Sequence, residues 1–124
     1  MPDRIQHKST VAVLPTDDLD RDIKWYAEYT GFVKRFINDG YAGLYRDGME
    51  IHLQWHAGTE DDPVNGGSVV KFFVTDLEAV FKEFVERGTV KEHKLHKNTP
   101  WGTHEFGFFD PNNNAIFFVE DLDL

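Results

Sequence analysis

Alternation of apolar and polar residues predicts short strands along most of the chain. The stretch "STVAVLPT", residues 9–16, is rich in small and β-branched residues and stops at a proline, which is typical of a first strand. Further strands are predicted over residues 33–37, 41–45 and 50–55, because the turn sequences "NDG" and "RDG" separate them. "SVVKFFVT" predicts another strand, and "EFGFFDPNNNAIFFVE" predicts a closing hairpin.

Two helices are predicted where apolar residues recur at spacings of three and four. "DDLDRDIKWYAEYTGF" begins with aspartates suited to an N-cap and ends at Gly31, which suits a helix C-terminus. The expected buried face of this helix consists of Ile23, Tyr26, Ala27 and Thr30. "TDLEAVFKEFVERG" predicts the second helix, opened by a capping box between Thr75 and Glu78.

The two helical segments form part of an internal repeat. Asp18-Leu19 recurs 58 residues later as Asp76-Leu77, and the apolar positions of the two helices coincide at that offset. We therefore predict an α+β fold of one domain, residues 1–124, built from two βαβββ modules at 8–56 and 67–121 with a polar linker at 57–66. The modules are expected to form a curved mixed sheet around a cleft.

Composition narrows the classes of ligand. A net charge of −9 argues against a nucleic-acid partner and is compatible with a cationic ligand. Aromatic residues make up 15% of the chain; most are expected to pack in the core, and about four or five to line a pocket for a flat organic molecule. The absence of cysteine excludes disulfides and thiolate metal sites. No apolar signal or membrane segment is present in the sequence, and a cytoplasmic location without membrane association is expected.

The closing hairpin carries the most selective sequence pattern. "PWGTHEFGFFDPNNNAIFFVE", together with "VLPTDDLDRDIKWYAEYTGF" and "YAGLYRDGMEIHL", resembles the vicinal oxygen chelate superfamily of glyoxalases, extradiol dioxygenases and bleomycin-resistance proteins. The Pro-Trp-Gly segment makes the chain most similar to the bleomycin-resistance group. The resemblance covers about residues 10–121 and implies the glyoxalase/bleomycin resistance fold.

The resemblance also implies where a metal site would lie. Enzymes of this superfamily use a histidine from the first strand of each module and a carboxylate from the last strand. The matching positions here hold Val11, Val69 and Phe117, and the optional fourth position is expected to be Glu50. Apolar side chains cannot coordinate a cation. We therefore expect no metal, no cofactor and no catalytic residues.

Strand alternation and the resemblance together nominate the residues that line the cleft. The candidate ligand-binding residues are Phe36, Tyr41, Glu50, His52, Gln54, Lys71, Phe73, Trp101, Gly102, Glu105 and Phe117. Val11, Val13, Val69, Ala115 and Val119 share this face, and the valines are expected to serve as core packing. An alternative role for Glu50, Lys71 and Glu105 is an internal ion-pair network. A metal site of His52, Glu50 and His104 is disfavoured. Glu105 is expected on the cleft face of its strand, so the adjacent His104 should point to the opposite face.

These observations favour a non-enzymatic homodimer that sequesters an aromatic, cationic, antibiotic-type small molecule. By resemblance, the partner subunit completes the cleft and residues 1–10 form an arm that crosses over. Two alternatives stay open: a metal-dependent glyoxalase- or dioxygenase-like enzyme with substituted ligands, and a binder of an unrelated metabolite. Metal content separates the enzyme from both binders.

Overall fold

The computed structural model describes residues 4–123 and places two α-helices against two sheets. The elements in chain order are β1 (Ala12–Thr16), α1 (Leu19–Thr30), β2 (Val33–Asn38), β3 (Tyr41–Arg46), β4 (Met49–Trp55), β5 (Val69–Phe73), α2 (Leu77–Glu86), β6 (Thr103–Phe109) and β7 (Ala115–Asp121), with a short 3₁₀ helix at Glu92–Lys94. The first sheet has the strand order β1-β4-β3-β2 and the second has the order β5-β7-β6. In each sheet the module's first strand runs parallel to its last strand. The predicted α+β class is confirmed, with the strands divided between two mixed sheets.

The second module has three strands where four were predicted. A single antiparallel bridge between His96 and Glu105, with both backbone hydrogen bonds at 2.9 Å, takes the place of the fourth strand. The segment "KEHKLHKNTP", residues 91–100, offers one apolar side chain and ends in a proline, which cannot donate to a ladder. It therefore lacks the alternating apolar positions that would hold a full strand against the core.

Both helices begin at an aspartate. The side chain of Asp18 accepts a hydrogen bond from the backbone N–H of Arg21 at 3.1 Å, and that of Asp76 accepts one from Ala79 at 3.3 Å. The predicted capping box of Thr75 and Glu78 is wrong, because Asp76 already caps the free N–H groups one residue later.

One hydrophobic core lies between the helix-facing sides of the two sheets. Its members come from both modules and include Leu14, Tyr26, Phe32, Leu44, Ile51, Leu53, Leu77, Phe81, Phe84, Phe106, Ile116 and Phe118. The hydroxyl of Tyr26, in α1, donates to Asp110 at 2.6 Å and so ties the first module to the closing hairpin. Burial, followed by the charge of Asp110, raises the pKa of Tyr26 far above its usual range. The phenol therefore remains a hydrogen-bond donor.

The buried face of α1 differs from the prediction at two positions. Tyr26 and Thr30 are buried as expected, whereas Ala27 is exposed and Asp22 is fully buried. The Asp22 carboxylate accepts hydrogen bonds from the hydroxyl of Thr16, from Arg21 at 2.8 Å and from the amide of Asn112 at 2.5 Å. These donors compensate for the loss of hydration, so helical periodicity alone could not assign this residue to the core.

Candidate functional site

Both sheets expose the side that faces away from the core. On the first sheet this side, the first-sheet face, carries Val13, Phe36, Tyr41, Tyr45, Glu50, His52 and Gln54. The second-sheet face carries Val69, Lys71, Phe73, Glu105, Phe109 and Phe117. All strand residues predicted to line the cleft lie on one of these two faces. The exposed apolar side chains include Phe73 at 60% and Phe109 at 67%.

The valines do not behave uniformly as core residues. Val13 is 46% exposed and Val69 is 61% exposed, so the expectation that they are core packing is wrong for both. Val119 is buried as expected, and Ala115 is buried as well. Val13 and Val69 lie on the strands that open each module and face away from the helices that cover the core.

A chain of hydrogen bonds crosses the first-sheet face. The Tyr41 hydroxyl lies 2.7 Å from Nδ1 of His52, and Nε2 of His52 lies 2.6 Å from Oε2 of Glu50. The other carboxylate oxygen of Glu50 accepts from Nη1 of Arg35 at 2.7 Å. The hydrogen bond from His52, together with the attraction of Arg35, lowers the pKa of Glu50 below its usual value. Glu50 is therefore an ionised acceptor at neutral pH.

The ring of Phe36 covers this chain because Gly43 leaves room for it. Phe36 stacks on Tyr41 with ring centroids 6.3 Å apart and meets His52 edge-on at 5.3 Å. A side chain at Gly43 would collide with the Phe36 ring. A β-bulge between Lys34 and Phe36 shifts the register of β2, and it brings Phe36 opposite Gly43. Gln54 stands further along β4, exposed and opposite Tyr41.

The second-sheet face holds a groove beside the loop that precedes β6. Its volume is about 510 Å³, and its walls include Leu95, Thr99, Trp101, Glu105 and Phe117. The indole N–H of Trp101 donates to Oε2 of Glu105 at 3.3 Å. Trp101 is nevertheless 65% exposed, so one side of its ring is free for a ligand. Gly102, with a φ of 82°, provides the left-handed turn that leads into β6.

Phe117 lies flat against the backbone of the neighbouring strand. An added Cβ at Gly107 would lie 2.6 Å from its ring, so only glycine permits this position. The ammonium group of Lys71 lies 5.9 Å from the ring centroid of Phe117, within reach of a cation–π interaction. Phe117 thus forms an apolar floor with one cation already beside it.

The alternative ion-pair network among the predicted residues does not form. Glu50 pairs with Arg35 and His52, whereas Glu105 accepts from Trp101 and from the hydroxyl of Thr103 at 3.1 Å. The sequence did not identify Arg35 as a site residue, because simple alternation does not predict the β-bulge that lets its side chain reach Glu50. Leu95 and Thr99 were missed because a polar loop carries no periodic signal.

The positions that hold the metal in related enzymes do not provide a donor set. Val69 and Phe117 lie on β5 and β7, and Val11 directly precedes β1. Strand register corrects the residue expected at the fourth metal position. Phe117 stands opposite Gly107 in the second sheet, and His52 stands opposite Gly43 in the first sheet. The residue of the first module that corresponds to Phe117 is therefore His52 and not Glu50. Within residues 4–123, no three or more His, Asp or Glu side chains are grouped to hold an ion. One imidazole among two valines and a phenyl ring does not fit a metal centre.

The predicted site residues therefore fall into two groups. The first-sheet face brings together Phe36, Tyr41, Glu50 and His52, and the second-sheet face brings together Lys71, Trp101, Glu105 and Phe117. Gln54 lies on the first-sheet face and Phe73 on the second-sheet face, but neither belongs to these clusters. In the part of the chain that the structure describes, no helix is long and apolar enough to cross a membrane.

Comparison with known proteins gives a consistent result. The family model "Glyoxalase/Bleomycin resistance protein/Dioxygenase superfamily" matches residues 4–118. A bleomycin resistance protein from Geobacillus stearothermophilus is 24% identical, over 91% of this chain and 96% of the relative. A bleomycin-binding protein from Streptomyces verticillus, solved with copper(II)-bleomycin, superposes with a TM-score of 0.75 at 20% identity, covering 98% of this chain and 100% of its own. A bleomycin resistance determinant encoded on transposon Tn5 has the same TM-score at 19% identity, with 93% and 98% covered.

Proposed function

The chain belongs to the glyoxalase/bleomycin resistance protein/dioxygenase superfamily, and from this premise we propose that it is a non-enzymatic protein that binds bleomycin-type or similar aromatic, cationic compounds. The observation that carries the proposal is the pair of aromatic faces, each with a carboxylate in its cluster: Glu50 is linked through His52 to Phe36 and Tyr41, and Glu105 binds Trp101. Stacking against such rings contributes about 0.5–1.5 kcal/mol per ring pair. The net charge of −9 attracts cations to both faces.

Replacement of the metal positions supports binding over catalysis. Metal-using relatives need nitrogen and oxygen donors where this chain has Val11, Val69 and Phe117. The side chain at position 117 is a phenyl ring that lies against Gly107 and offers no donor atom. The alternative of a metal-dependent enzyme therefore lacks the donor atoms that would hold its metal ion.

We further propose that two copies assemble so that the first-sheet face of one subunit meets the second-sheet face of the other. The chain exposes 8242 Å², whereas a compact monomer of 14.4 kDa would expose roughly 6800 Å². The excess fits a surface that a partner covers. Residues 4–10 are exposed, with Ile5 at 94%, as expected for a segment that crosses to a partner. The first three residues of the predicted arm lie outside those that the structure describes.

Titration with bleomycin tests the proposed function. We expect saturable quenching of tryptophan fluorescence and saturable heat, with affinity that falls as salt is raised because the charge attraction is screened. Protein expressed in medium supplemented with zinc and nickel should contain well under one ion per chain. A failure to bind bleomycin-type compounds would favour the unrelated-metabolite alternative, and chelator-resistant metal near one ion per chain would favour the enzyme.

A further inference from the structure

A neutral His52 ring gives the hydrogen-bond chain on the first-sheet face one direction. Glu50 is ionised and therefore has no proton to donate, so Nε2 of His52 carries the hydrogen that lies between them. In a neutral imidazole, Nδ1 is then an acceptor. The remaining donor in the 2.7 Å contact is the hydroxyl of Tyr41.

This direction commits the only proton of the phenol. The Tyr41 oxygen keeps its lone pairs but has no second hydrogen to offer, so it can only accept a hydrogen bond from a ligand. Arg35 strengthens the arrangement, because it occupies the second oxygen of Glu50 at 2.7 Å and holds the carboxylate in place. Each hydrogen-bonding group from Arg35 through Glu50 and His52 to Tyr41 therefore acts only as a donor or only as an acceptor toward its neighbour.

Aromatic packing keeps the chain in one geometry. Phe36 covers it from one side, stacked on Tyr41 and edge-on to His52, and the Tyr41 and His52 rings are themselves edge-on at 5.3 Å. The side chain of His52 is only 17% exposed. Partial exclusion of water strengthens hydrogen bonds and raises the cost of leaving one unpaired.

We propose that Tyr41, oriented by His52 and Glu50, forms a subsite that accepts N–H groups of the ligand and rejects groups that only accept hydrogen bonds. The ligand class is a planar compound that presents an amide, amidine or ammonium N–H beside an aromatic ring. The inference rests on the proposed function, because it assigns the ligand chemistry of one of its two faces. Tyr41 is the contact residue, and His52 is the positioning residue.

Two neutral probes of similar shape isolate the hydrogen bond from charge attraction: benzamide, which has N–H groups, and methyl benzoate, which only accepts. Each is titrated into the purified protein while backbone amide resonances of residues 41–43 and 52 are followed by NMR. We expect benzamide to bind about three- to ten-fold more tightly, the value of one net hydrogen bond. Equal binding of the two probes, or saturable binding of neither, would overturn the proposal.

Three variants separate the roles of the residues. Tyr41→Phe keeps the ring and should abolish the preference for benzamide. His52→Leu removes the internal acceptor, so the Tyr41 proton turns outward and methyl benzoate should gain affinity, which damage to the fold would not produce. Tyr45→Phe removes a hydroxyl from the same strand face outside the chain of hydrogen bonds and should leave the preference unchanged. A preference that survives in Tyr41→Phe would contradict the assignment.

The direction of the hydrogen bonds between Tyr41, His52 and Glu50 can be measured without a ligand. Long-range nitrogen-15 correlations at neutral pH should show His52 protonated at Nε2 and unprotonated at Nδ1, and the reverse tautomer or an imidazolium would overturn the inference. If the probe preference holds while bleomycin does not bind, the proposed antibiotic ligand is wrong and the subsite stands. If bleomycin binds equally to wild type and Tyr41→Phe, the subsite is wrong and the proposed function stands.

Discussion

Single residues stand where the resemblance to metal-using relatives implies metal ligands. Phe117 occupies the position of a coordinating carboxylate, and its ring is accommodated only because Gly107 has no side chain. Gly43 makes room for Phe36 in the same way on the first sheet. In both modules, an aromatic ring on the exposed side of the sheet thus lies against a glycine of the neighbouring strand.

Trp101 is the residue whose removal should cost the most binding. Its ring is 65% exposed, and its N–H donates to Glu105, so it presents an oriented apolar surface. Trp101→Ala should weaken bleomycin binding by about 1–3 kcal/mol, the scale of an aromatic hot spot. Isothermal titration calorimetry measures the change directly.

The two other tryptophans serve as controls. Trp25 packs edge-on against Tyr26 on the core side, and the indole of Trp55 donates to the carbonyl of Asp17 at 3.1 Å. Trp55→Phe should therefore leave the affinity unchanged, and Trp25→Phe should alter stability alone. Undiminished binding by Trp101→Ala would show that the loop before β6 does not contact the ligand.

At the level of elements, α1 depends on charges supplied from elsewhere in the fold. Its last turn contains no basic residue. Arg46 from β3 donates to the carbonyl of Thr30 at 2.7 Å, and Arg87, after α2, donates to that of Glu28 at 2.8 Å. Both arginines are joined by Glu83 of α2. This cluster satisfies the carbonyls of Glu28 and Thr30, complements the dipole of α1 and connects the two modules.

Glu83 should make stability depend on pH. The hydrogen bond from Arg46, with that from Arg87, lowers the pKa of Glu83, so its contribution is present above the unfolded pKa of glutamate and is lost as the pH falls through the folded value. Glu83→Ala should lower the free energy of unfolding by about 1–2 kcal/mol at neutral pH, less than for a fully buried pair because the side chain is 32% exposed.

Urea denaturation at neutral and acidic pH checks this prediction. The difference between wild type and Glu83→Ala should shrink toward zero as the pH falls. Glu86→Ala, exposed on the same helix, should change stability by less than about 0.5 kcal/mol. A difference of constant size at every pH would assign the effect of Glu83 to packing and not to its charge.

For the whole molecule, the arrangement of the two aromatic faces argues for a shared site. They lie on separate sheets of one chain, and each holds only part of the predicted set of ligand-binding residues. A two-fold assembly would create two equivalent clefts by pairing the unlike faces.

Sedimentation velocity tests the dimer, which should have twice the 14.4 kDa chain mass at micromolar concentration. Phe73→Asp introduces a charge into the exposed apolar part of the second-sheet face and should shift the protein to monomer, with loss of bleomycin binding. Ile37→Asp, also at an exposed apolar residue but away from that face, should remain dimeric. A wild-type protein that sediments as a monomer contradicts the shared cleft.

Local physical chemistry determined much of this protein from its sequence. The capping Asp18, the left-handed glycine at position 31 and the alternation of apolar and polar residues depend on neighbours within a few residues, so both helices and all seven strands that the structure describes were predictable. The apolar residues at positions 11, 69 and 117 predict that the family's metal chemistry is absent, since the identity of a side chain decides whether it can coordinate an ion.

Only the tertiary structure decided how these parts are combined. Asp22 is buried because Asn112, ninety residues away, donates to it, and Arg35 reaches Glu50 because a bulge shifts β2. The fourth strand of the second module is reduced to one bridge because a polar segment has no apolar face to bury. These outcomes depend on contacts between residues distant in sequence, and no local pattern records which partner a side chain will meet.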